Sequence, residues 1–201
     1  TKNQTSKLSE GFTVMKGVIA NLASDAIRML GRNLVGAVKS VVSGGIEFES
    51  AFAGVRKTVN ATDEEFEKFE SGLRSMSTQM PTTASELSAI AEAAGQLGIK
   101  NENLLSFTET MANLGVATNM SSDEAATALA RLANITGMNQ ENFDRLGSSI
   151  VALGNNFATT ESEVTQMALN ISAAGSQVGM TEADILGVAA ALSSLGLEAQ
   201  G

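Results

Sequence analysis

The sequence predicts an all-α protein made of helical hairpins that repeat about every forty residues. Three segments of eighteen residues, 98–115, 137–154 and 179–196, each begin and end with Gly and carry Ile or Met in second place. Their apolar residues follow steps of three, four and three, which places them on one face of an α-helix. No stretch shows the sustained alternation of apolar and polar residues that indicates a β-strand.

Each segment therefore carries an apolar stripe of four residues, and a more degenerate stripe lies upstream. The stripes start 38, 39 and 42 residues apart in chain order. Because one hairpin cannot bury its apolar face alone, neighbouring hairpins are expected to complete each other's core as a bundle or a short solenoid. The stripes are Phe66, Phe69, Leu73, Met76; Leu104, Phe107, Met111, Leu114; Phe143, Leu146, Ile150, Leu153; and Ile185, Val188, Leu192, Leu195.

The N-terminal part differs, because residues 8–59 keep a helical period but lack the regular Gly punctuation. This pattern predicts a long amphipathic N-terminal helix, with a kink near 44–45 where two Gly residues adjoin. We divide the chain into an amphipathic segment, 1–45, and a helical-hairpin region, 46–201. An apolar seam of this kind needs a partner helix. The predicted oligomer or partner interface comprises Met15, Ile19, Leu22, Ala26, Val38, Phe48 and Phe52.

Helix starts in the hairpin region carry capping boxes, in which a hydroxyl caps the N3 amide and an acid reaches back to the N-cap amide. The boxes begin at Thr62, Thr83, Ser121 and Thr160, with a shorter Asp version at Thr181. Helix ends are expected at Gly95 or Gly98, Gly115, Gly137, Gly154, Gly175 or Gly179, and Gly196. The predicted hairpins are 83–97 with 101–114, 122–136 with 139–153, and 161–174 with 181–195, and a helix at 62–78 pairs with the end of the preceding segment.

The composition of the chain excludes several kinds of catalytic and metal-binding site. The chain has no Cys and no His, which excludes a thiolate nucleophile, a His general base and a zinc site built on these residues. Its net charge is −9, and residues 58–201 hold five Lys and Arg against eighteen Asp and Glu, which argues against a nucleic-acid surface. The acid cluster at 63–70 is explained by the first turns of a helix. We therefore expect no enzyme, no cofactor and no metal site.

Several motifs resemble the core region of phage tail tape measure proteins. They are Phe48-Glu-x-x-Phe52, "LRSMS" at 73–77, Pro81-Thr-x-x-x-Glu-Leu87, "AEAAGQLGI" at 91–99 and "LGVATNMSSDEAA" at 114–126. The resemblance runs from about residue 46 to the end of the sequence, and the opening residues, which lack an initiator Met, lead us to expect a longer polypeptide.

This resemblance implies a structural protein of a phage or prophage-derived tail. Such proteins lie inside the growing tail tube, set its length and assist genome ejection. The implied partners are tail tube and tail tip proteins, tail assembly chaperones and further copies of the chain, with transient membrane contact and no specific nucleic acid. The implied location is the virion tail, assembled in the host bacterial cytoplasm.

A membrane-active helical protein, such as a pore former or secreted effector, is the competing hypothesis. Its inserting segment would be 12–46, which is rich in Gly, Ala and Val. Charged residues recur there often enough to oppose stable spanning of a bilayer. They are Lys16, Asp25, Arg28, Arg32 and Lys39.

Overall fold

A computed structural model describes residues 45–197, and within that range all the regular secondary structure is helical. The predicted all-α fold class is confirmed for these residues. Residues 8–44 of the predicted N-terminal helix, and with them the predicted kink at 44–45, lie outside the described residues, while its last part, 45–58, is helical. The helices are α1 (45–58), α2 (Asp63–Met76), α3 (Ala84–Gln96), α4 (Leu104–Ala117), α5 (Ser122–Thr136), α6 (Phe143–Asn156), α7 (Glu161–Gln177) and α8 (Glu182–Ser194).

All five predicted capping boxes form. In the box of α2, the Glu65 backbone N–H donates to the Thr62 hydroxyl at 3.3 Å, and the Thr62 N–H donates to the Glu65 carboxylate at 2.8 Å. The boxes of α3, α5, α7 and α8 have the same two bonds. Helices α4 and α6 begin differently, each after a single 3-10 turn at Asn101–Asn103 or Gln140–Asn142. Satisfying the first free N–H groups fixes the residue at which a helix starts.

The predicted Gly terminators divide into two groups. Gly98, Gly137, Gly179 and Gly196 have φ between 71° and 81°, the left-handed conformation that ends a helix. Gly115 and Gly154 were expected to do the same, and that expectation is wrong, because both lie inside helices, α4 and α6. Their role is to permit close packing. A Cβ built on Gly115 would lie 2.2 Å from the Ser122 hydroxyl oxygen and 3.0 Å from the Ser122 backbone nitrogen.

Helices α2–α8 pack in two layers. One layer contains α3, α5 and α7, and the other contains α2, α4, α6 and α8, with each helix beside the next one of its own layer. The predicted hairpins α3–α4 and α7–α8 are confirmed. The third predicted pair is wrong, because α5 touches α6 only slightly and packs mainly against α4 and α7.

The apolar stripes form most of the core. All four stripe residues of α4 are buried, as are Phe66, Phe69 and Leu73 in α2 and Phe143, Leu146 and Ile150 in α6. Helix α8 departs from the expectation. Ile185 is buried, but Val188 and Leu195 are exposed, and the buried face of α8 is completed by Leu186, Ala189 and Ala190.

Polar contacts between helix ends join residues about one stripe spacing apart. The Lys100 N–H donates to the Gln140 side-chain oxygen at 2.9 Å, 40 residues away. The Asn101 amide donates to the Asn60 carbonyl at 2.9 Å, 41 residues away. The Ser176 hydroxyl donates to the Ile135 carbonyl at 3.1 Å, also 41 residues away. These bonds hold helix ends of one layer side by side.

Candidate assembly surface

The predicted interface residues fall into two groups. Met15, Ile19, Leu22, Ala26 and Val38 lie outside the described residues, so their interface role stays a prediction. Phe48 and Phe52 are 1% and 2% exposed. Any partner that used these two rings would first have to displace their present contacts, and their interface role also stays a prediction.

Phe48 and Phe52 belong to an aromatic cluster where α1 meets α2. Their rings stack with centroids 5.6 Å apart, and Phe52 meets Phe66 edge to face at 6.3 Å. Such ring pairs add to the stabilisation from burial alone. Phe69 extends the cluster along α2, edge to face with Phe66.

Two Arg side chains cover the aromatic cluster. The Arg56 guanidinium carbon lies 4.7 Å from the Phe66 ring centroid, and that of Arg74 lies 3.8 Å from the Phe48 ring centroid. Arg74 also pairs with Glu70 at 3.0 Å and with Glu49 at 3.2 Å. A guanidinium can lie flat on an aromatic face while its edge bonds carboxylates. The α1 side of the described region therefore presents a charged outer surface.

Each of the five capping-box carboxylates has a lowered pKa. The backbone N–H of the N-cap residue, followed by other hydrogen bonds, lowers the pKa of Glu65, Glu86, Glu124 and Glu163. In Asp184 the Thr181 hydroxyl is the larger cause, and the pKa is again lowered. These five carboxylates accept hydrogen bonds from the residues that start the helices. Among residues 45–197 no cluster of three acidic side chains could hold a metal ion.

A groove of about 410 Å³ runs between α4 and α6. Its floor is Leu114 and Gly147, and its rim includes Thr110, Asn113 and Asp144. Gly147 brings the helices close, since a Cβ there would lie 3.2 Å from the Thr110 methyl and 3.3 Å from Leu114. The groove is open to solvent and offers hydroxyl, amide and carboxylate groups.

Exposed apolar side chains form the remaining candidate surface, and sequence reasoning did not identify it. Two of them, Val188 and Leu195, are stripe residues that were expected inside the core. The large apolar residues exposed within the described range are Ile46, Val116, Ile135, Phe157, Val178, Val188, Leu195 and Leu197. Three of these eight lie on or shortly after α8: Val188, Leu195 and Leu197.

Residues 70–200 match the family described as phage-related minor tail protein. The match covers more than half of the 201 residues. The chain belongs to this family. No curated protein and no solved structure matches it. Membership in the minor tail protein family supports a structural role in a phage tail, which is the coarser part of the function expected from sequence.

The membrane-active alternative placed its inserting segment at 12–46, nearly all of which lies outside the described residues. No helix within the described part of this minor tail family member is long and apolar enough to cross a bilayer.

Proposed function

We propose that this minor tail protein is the globular core region of a tape measure protein, a non-catalytic component around which a phage tail is built. The observation that carries the proposal is the combination of family membership over residues 70–200 with a two-layer helical stack. The stack supplies broad helix faces for protein contact. Its capping-box carboxylates accept hydrogen bonds at helix starts.

The helical repeat is part of this proposal. Capping boxes recur at Thr83, Ser121 and Thr160, and hydrogen bonds link positions 40 to 43 residues apart. Repeated units of this kind lengthen by addition of hairpins without the need for a new core. Such a body suits an assembly component that must contact several other proteins along its length.

The proposed partners are tail tube and tail tip proteins, tail assembly chaperones and further copies of the chain. The proposed location is the virion tail, with a role in genome ejection and transient membrane contact at that stage. The acidic surface supports partners other than nucleic acid, because residues 58–201 hold five Lys and Arg against eighteen Asp and Glu.

The decisive experiment changes the length of the gene in the phage or prophage that encodes the chain. Deletion of the gene should abolish normal tails, and the intact gene supplied in trans should restore them. In-frame addition of uninterrupted helical sequence outside residues 45–197 should lengthen tails by roughly 1.5 Å per added residue. Tail length is measured by electron microscopy of negatively stained particles. Tails of unchanged length would overturn the tape measure role, and normal tails after deletion would overturn any assembly role.

A further inference from the structure

We draw no further inference here: the strongest candidate, the groove between α4 and α6 with Leu114 and Gly147 at its floor and Asp144 at its rim, carries nothing because nothing within the described residues shows what covers it.

Discussion

The Thr83 hydroxyl accepts a hydrogen bond from the backbone N–H of Glu86 at 3.2 Å, and the Glu86 carboxylate accepts one from the Thr83 N–H at 2.8 Å. Removal of the hydroxyl leaves an N–H at the start of α3 without its partner. Thr83→Ala is therefore expected to lower the free energy of unfolding by about 1 kcal/mol. Urea denaturation followed by circular dichroism measures the change. Thr82→Ala is the control at the adjacent residue, outside the box, and an equal loss there would contradict the capping role.

The capping carboxylates make stability depend on pH. The hydrogen bonds lower the pKa of Glu86 and Glu124 in the folded chain, so in acid the unfolded chain binds protons first. The stabilisation is complete above the ordinary Glu pKa of about 4.3 and is lost as pH falls through the lower, folded value. The urea concentration at the unfolding midpoint should therefore decrease as the pH is lowered below about 4.

The pH effect can be assigned to the boxes by substitution. Glu86→Gln combined with Glu124→Gln should make the acid-side decrease in the urea midpoint shallower. Glu67→Gln, at an exposed position of α2 outside the boxes, should leave the decrease as steep as in the unaltered chain. A double variant with the unaltered pH profile would show that other groups cause the acid sensitivity.

At the scale of helices, Gly115 and Gly154 occupy the same position in α4 and α6 but face different neighbours. A Cβ at Gly115 would collide with Ser122, including its backbone nitrogen at 3.0 Å, which α5 holds in place. A Cβ at Gly154 would meet the Glu161 carboxyl carbon at 2.5 Å, the end of a flexible side chain that can move away.

Ala substitution at these two glycines should therefore have unequal effects. Gly115→Ala should lower the free energy of unfolding by about 1–3 kcal/mol, as overpacking does. Gly154→Ala should cost less, because the Glu161 side chain can move away, and in both variants the better helix propensity of Ala offsets about 1 kcal/mol. Thermal melts of the two variants make the comparison. Equal costs would mean that α5 can shift as easily as the Glu161 side chain.

Sequence pattern predicted the helices and their starts because both depend on residues close together in the chain. The capping boxes need only positions three apart, and the stripes need only a helical period. The pattern misplaced α5 and α6 as a pair, because stripe spacing does not say which neighbouring helix a face meets. It likewise assigned Val188 and Leu195 to the core, since their stripe is the same as that of Phe107 and Leu114. Helix α6 packs beside Phe107 and Leu114 of α4, whereas no helix within residues 45–197 packs beside Val188 and Leu195 in the same way.

The candidate surface was harder to predict than the fold for a related reason. Phe48 and Phe52 continue an apolar seam that begins upstream, so their period indicated contact with a partner. In the structure they meet Phe66, a residue of the next helix, and lie within the core. A seam shows that a helix needs cover, and the cover here comes from the same chain. In the same way, the exposure of Val188 and Leu195 could be recognised only by comparison with Phe107 and Leu114, their buried counterparts in α4.

At the scale of the whole molecule, the helices from Phe48 onward form one compact unit. Its stability is distributed along the two layers, since the interior helices α4, α5 and α6 are covered by neighbours on both sides. Helix α1 is the cover for the aromatic rings of α2, as α4 and α6 cover one another. The division at residues 45 and 46, predicted from sequence, therefore leads to an expectation about truncated chains.

A chain that begins at Gly45 retains α1 and should keep the helical content of residues 45–197, with a single cooperative melt. A chain that begins at Ala61 lacks Phe48 and Phe52 and exposes the Phe66 and Phe69 rings. Burial of each large apolar side chain contributes about 1.5–3 kcal/mol, so the loss of two rings removes a large part of the stability of a domain of this size. The shorter chain should melt at a lower temperature and bind an apolar dye, as measured by circular dichroism and dye fluorescence. Equal melting of the two chains would show that α1 is dispensable to the core, and failure of the longer chain to fold would place the domain boundary upstream of residue 45.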